Sequence, residues 1–66
     1  MYQESETVVA NKDITPLILK NTKGVIHSIY DNGNYYLVEF VDESGNTIGD
    51  GLETISCNDI DKYISN

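Results

Sequence analysis

Twelve residues, DESGNTIGDGLE from Asp42 to Glu53, carry oxygen ligands at the spacing of a calcium loop. Asp42, Ser44, Asn46, Asp50 and Glu53 stand at positions 1, 3, 5, 9 and 12 of that loop. Its sharp bend needs glycine at position 6, and the residue there is Thr47. The flanks read as strands, not helices, so an acidic hairpin turn is expected and no metal or other cofactor. His27 and Glu39 could pair as acid and base across a hairpin. There is no second histidine and no third member, and a 66-residue domain has little room for a deep cleft. A surface contact is the expected role, and the chain reads as a non-enzyme. Cys57 precedes Asn58 and Asp59, whose acidity does not activate a thiol, so it reads as a small buried filler. Gly45, Gly49 and Gly51 lack the Lys-Ser/Thr ending of a phosphate cradle. Tyr30, Tyr35, Tyr36 and Tyr63 remain as candidates for recognition, since tyrosine is enriched where proteins meet. Tyr36 is assigned to the core, and Tyr35 and Tyr63 divide evenly between core and interface.

Charge narrows the partners. Eleven carboxylates face four lysines, giving a net charge of −7. Binding to nucleic acid is not expected, because phosphate neutralisation needs a basic patch. An anionic membrane surface is disfavoured for the same reason. The longest apolar run is four residues, Pro16 to Leu19, too short to cross a bilayer as a helix. The start MYQESETVV has no basic or hydrophobic stretch of an export signal, and a lone thiol fits a cytoplasmic location. With a single cysteine, no intrachain disulfide can form, so stability must come from a core of roughly ten to twelve side chains or from a partner.

The elements that must position these residues are strands. No stretch of ten residues shows helical periodicity, whereas alternation and turns recur. Residues 1–6 are polar and expected to fray, leaving 7–64 as one domain. Strands are expected at Thr7–Ile14, Gly24–Asp31, Tyr35–Asp42 and Thr47–Ser56. A long excursion, Thr15–Gly24, contains Pro16 and is expected to tuck Leu17 and Leu19 inward. Gly49 and Gly51 mark a bulge or bend. A 3-10 turn near 58–62 precedes a last short strand. This predicts an all-β fold: a small, strongly bent antiparallel barrel of about five strands.

The central hairpin admits two registers. A three-residue Asn32–Asn34 loop sets Tyr30 opposite Tyr36 and His27 opposite Glu39. A two-residue Asn32-Gly33 loop sets His27 opposite Val38. In both, Tyr36, Val38 and Phe40 share the core face, and Tyr35, Leu37, Glu39 and Val41 share the other.

The stretch NTKGVIHSIYDNGNYYLVEFVDESGNTI resembles a family of small bacterial and archaeal proteins known as DUF4926. Leu19-Lys20 matches the family's loop step, Gly24-Val25-Ile26 its glycine-led strand and Val38-Glu39-Phe40 its Val-Glu-Phe strand. Gly45 matches the second turn and Asp59-Ile60 the closing element. The likeness spans roughly residues 7 to 62. Asn21 departs from it, standing where glycine is more usual, but asparagine is the next-best residue for positive φ. The resemblance implies an SH3-like barrel, a bacterial or phage origin and no established catalytic residues. Some relatives lie near toxin–immunity cassettes.

The expected role is therefore binding. Tyr35, Leu37, Glu39 and Val41, rimmed by Asp31, Asp42, Glu43, Asp50 and Glu53, are expected to dock on a protein with a basic face. Carboxylates there would mimic phosphate and steer association, as in an immunity protein that blocks a nuclease toxin. The alternatives are an accessory domain that homodimerises weakly through Tyr35, Leu37 and Val41, and a phage-encoded counter-defence inhibitor.

Overall fold

The computed structural model describes residues 1–65. Five strands form: β1 (Thr7–Ala10), β2 (Lys23–Tyr30), β3 (Tyr35–Val41), β4 (Thr47–Ser56) and β5 (Ile60–Lys62). All neighbours are antiparallel, in the order β4-β3-β2-β1-β5. The helical content of the described residues is two 3-10 turns, Asp31–Gly33 and Cys57–Asp59. The fold is thus the expected all-β one, with a 3-10 turn just ahead of the last strand. The first strand is shorter than expected and ends at Ala10.

In a flat sheet, β4 and β5 would lie about 19 Å apart, four strand spacings. Instead Ile55 of β4 and Ile60 of β5 belong to one buried cluster with Val8, Ala10, Ile18, Ile26, Tyr36, Val38 and Phe40. The sheet is therefore curled round its inner face, although β4 and β5 share no ladder among the described residues.

β3 is the spine of that core. Its alternation is strict: Tyr36, Val38 and Phe40 are buried while Tyr35, Leu37, Glu39 and Val41 are not. The inner row needs room, and Gly24 on β2 provides it. A Cβ added there would lie 2.6 Å from Val38 Cγ1 and 3.0 Å from Phe40 Cδ1.

Two irregularities set the curl. The β2–β3 turn has Asn32 at φ 55°, ψ 32° and Gly33 at φ 90°, with Asn34 N donating to Asp31 O at 3.0 Å. Asp31 also has positive φ, 51°, and the strands are joined by the four residues Asp31–Asn34. Yet the register near the turn is that of the two-residue Asn-Gly loop and pairs Tyr30 with Tyr35, Ile29 with Tyr36 and Ser28 with Leu37. His27 is then an extra residue, so Ile26, not His27, meets Val38, and Val25 meets Glu39. Neither expected register survives along the whole hairpin, and the His27–Glu39 pair does not form. His27 is exposed on the bulge, with Nδ1 3.4 Å from Ser28 Oγ. In β4 the pairing jumps from Leu52 opposite Glu39 to Thr47 opposite Val41. Ile48 to Gly51 bulge out there, with Gly49 and Gly51 at φ 72° and 105°, as the two glycines led one to expect.

Two expectations are corrected. Residues 1–6 do not fray. Tyr2 N donates to the buried Tyr36 hydroxyl at 3.0 Å, and the two rings meet edge-on at 5.4 Å. Ser5 N reaches Ile26 O, and Ile26 N reaches Glu6 O. In the β1–β2 loop, Ile18 is the residue that tucks inward, while Leu17 and Leu19 are 66% and 49% exposed. The Thr15 hydroxyl accepts from the backbone N–H of both Leu17 and Ile18, fixing a tight turn with Ile18 pointing in. Asn21 adopts φ 77°, a positive value that asparagine tolerates better than most residues other than glycine.

Gly24→Ala should cost about 2 kcal/mol, because the methyl overpacks the Val38 and Phe40 contact. Urea denaturation measures this. An unchanged midpoint would show that β2 does not approach β3 as closely as described.

Candidate protein-binding face

The residues expected to bind fall on the outer face of the β2–β3–β4 ladder, and the register names their neighbours. Tyr35 lies between Tyr30 and Ser56, and Leu37 between Ser28 and Thr54. Glu39 lies between Val25 and Leu52, and Val41 between Lys23 and Thr47. Directly opposed residues share a face, so these twelve side chains form one surface. Its Tyr30–Tyr35–Ser56 and Ser28–Leu37–Thr54 rows carry no charge. Tyr30, Tyr35 and Leu52 are exposed, and Leu37 is half-buried. Tyr30 was a candidate from sequence, whereas Ser28, Leu52 and Thr54 were not singled out. Their signal is cross-strand register, which the bulge at His27 conceals.

The carboxylates do not form one rim. Glu39 accepts a hydrogen bond from the Thr47 hydroxyl and is tied to the start of β4. Asp31 lies at the Tyr35 end, in an open notch of about 250 Å³ lined also by Asn34, Ser56, Cys57 and Asn58. Asp42 and Glu43 sit at the far end of β3, which at about 3.3 Å per residue is roughly 20 Å away. There they line a groove of about 300 Å³ with Lys20, Lys23, Val41 and Ile48. Asp50 is exposed on the β4 bulge near this end. Glu53 stands opposite Val38 and so lies on the inner-face side of β4, half-buried, not on the outer face. That is a correction: the four-residue bulge before it changes which side chains alternate outward.

The Asp42–Glu53 segment is not organised as a metal loop. Asp42 Oδ1 accepts from Ser44 N and Asn46 N, both at 2.9 Å, and Gly45 N donates to Asp42 O at 2.9 Å. The carboxylate that would be the first ligand is occupied in holding its own turn. Among the described residues no three His, Cys, Asp or Glu side chains converge as a metal site. Cys57 is half-buried against the core, less enclosed than a filler would be, with Sγ 3.8 Å from Asn58 Oδ1. Tyr63 is half-buried, and Lys23 Nζ lies 4.8 Å from its ring centroid. A wider concavity, about 560 Å³, is lined by the N-terminal residues Met1 to Gln3 together with Tyr36 and Lys62. Burial pushes the Tyr2 phenol above its ordinary 10.0, with Asp61 and Glu6 adding to the effect.

Electrostatically the molecule is almost uncompensated. Among the described residues the one ion pair is Lys12–Asp59, at 3.7 Å. The other carboxylates have no cation within bonding reach there. Among the described residues no helix is long and apolar enough to cross a membrane. Compared with protein-family models, curated proteins and solved structures, the chain matches none.

Asp42→Ala should lower stability by about 1 kcal/mol through loss of an acceptor shared by two N–H groups. Asp42→Asn, which keeps an acceptor oxygen, should retain most of it. Equal losses in the two variants, read from thermal melts, would contradict the turn-holding role.

Proposed function

We propose that this chain is a non-enzymatic binding protein of the DUF4926 kind, whose carboxylates dock on a basic partner protein, such as a nuclease toxin that it inhibits. The observation that carries this reading is the uncompensated acidity. Asp31, Asp42, Glu43 and Asp50 are exposed at turns and a bulge, and none has a lysine partner among the described residues. Such placement adds little to stability and leaves a strong negative field, which accelerates encounter with a cationic surface. The carboxylates of Asp31 and Asp42 are held by hydrogen bonds within their own turns, so for these two little side-chain ordering remains to be done on binding. The two acidic ends, roughly 20 Å apart along β3, suit an extended basic cleft. The uncharged tyrosine rows beside Asp31 provide apolar contact at that end. A toxin gene beside this one would fit the reading, and a phage early-gene cluster would turn it toward counter-defence.

The test is co-expression with a panel of basic nuclease toxins, scoring growth rescue. Asp31→Lys/Glu43→Lys/Asp50→Lys should abolish rescue while the variant remains folded. For a rescued pair, the association rate should fall about tenfold or more between ~0.01 M and ~0.15 M salt. Rescue that survives the charge reversal would overturn the proposal.

A further inference from the structure

The β1–β2 loop is built to present leucine. Its backbone is fixed at many points. Ile14 N donates to Ile18 O at 2.8 Å, Lys20 N to the Asp13 carboxylate at 2.9 Å and Asn21 N to Ala10 O at 2.8 Å. Ile18 is buried in the core and anchors the centre. Leu17 and Leu19, on either side of it, are nevertheless turned to solvent. A flexible loop can hide its leucines by rearranging, whereas this one is held with both exposed. Two fixed apolar side chains are the form of an interface knob, because contact then costs little further ordering.

The same segment is the basic part of an acidic molecule. Residues 11–23 hold three of the four lysines and one of the eleven carboxylates. They carry +2 and the rest of the chain −9, which together give −7. Lys12 is paired with Asp59, and Lys23 lies on the Tyr63 ring. Lys20, next to Leu19, has neither kind of contact among the described residues. Asp42 and Glu43 line the same groove as Lys20 and Lys23, so this end of the molecule is close to balanced locally, and charge beyond about 8 Å is largely screened at physiological ionic strength.

A complementary surface exists on the same chain. The Tyr30–Tyr35 rows are uncharged and exposed, and the notch of about 250 Å³ beside Tyr35 has Asp31 on its wall. The loop rejoins the sheet where Lys23 meets Val41, at the opposite end of the β2–β3 ladder from Tyr30 and Tyr35. Knob and notch are therefore distinct patches, and one copy offers each to another. We propose that copies of this chain associate head-to-tail, with Leu17 and Leu19 of one seated on the Tyr30–Tyr35 face of the next and Lys20 facing Asp31. Such a contact uses two different patches, so each pair leaves one knob and one face free. It stands on these surfaces alone and not on the inhibitor reading.

The interface is small, so association belongs at about 0.1–1 mM protein. Sedimentation equilibrium over that range should give a mass rising above the 7.4 kDa protomer. Leu17→Ser/Leu19→Ser and Tyr30→Thr/Tyr35→Thr should each remain folded and each stay at protomer mass. Mixed in equal amounts, the two variants should regain association and stop at a dimer, since one intact knob and one intact face remain. Should the tyrosine variant unfold, Tyr35→Thr alone replaces it. Protomer mass for the unaltered chain up to about 1 mM would overturn the proposal. So would a mixture that stays at protomer mass, which would point to a symmetric contact. Leucine-dependent binding to phosphatidylglycerol vesicles without self-association would overturn it as well, assigning the knob to lipid.

Discussion

The β2 backbone at Gly24 comes so close to Val38 and Phe40 that a single methyl would not fit. Most of the architecture follows from that contact. In a chain of this size a few side chains must do the work of a core, and the largest of them must be completely enclosed. Phe40 and Val38 are enclosed because β2 crosses them without a side chain in the way. β2 can then pair with both β1 and β3, and its Ile26 joins the same cluster. Close packing at the centre leaves little void, and loss of contact there would be felt through all five strands.

A sheet that encloses its own inner face cannot keep a uniform ladder. The strain of turning is taken at two places, the single extra residue at His27 and the four-residue excursion Ile48–Gly51. Each also decides which side chains face solvent. Beyond the β4 bulge Leu52 points outward and Glu53 toward the inner-face side. β4 is an edge strand, with β3 its sole neighbour. A carboxylate on the inner side of an edge, next to a bulge, discourages another strand from pairing there. Glu53 therefore stands where an edge-guarding charge would, apart from the acids exposed at the turns.

What the sequence made legible follows the same physics. Period-two alternation in YYLVEFV marked the inner and outer rows of β3, because one row had to be fully buried and the other carried the charge. Asn32-Gly33 marked its turn, since only such residues accept two successive positive φ values cheaply. The register beyond the turn was not legible. A bulge at His27 has no composition signature, and it moves every later pair by one. Leu17, Ile18 and Leu19 are chemically alike and lie where no periodicity applies, so only the Thr15 turn decides that the middle one goes in. The N-terminal segment looked polar enough to fray, yet one aromatic, Tyr2, finds an edge-on partner and a hydroxyl acceptor in Tyr36. The nine-residue face was half legible: the β3 row is real, but sequence adjacency could not show that its carboxylates divide between two ends.

Charge and core size together limit what such a molecule can do. Close-packed side chains stabilise it, while a net charge of −7 works against compactness and one exposed ion pair offsets almost none of that. Many of the acids lie at turns and bulges in contact with water, and among the outer rows of the β2–β3–β4 ladder one, that of Glu39, carries an acid. A fold that needed only to persist would gain from neutralising part of this charge. One that must meet a cationic surface quickly gains from keeping it, provided an uncharged patch lies ready to make contact after the encounter. The Tyr30–Tyr35 rows lie beside Asp31 in that arrangement. The separation of exposed charge from the uncharged rows, set by where β2 and β4 bulge, is the feature of the fold on which the proposed binding role rests.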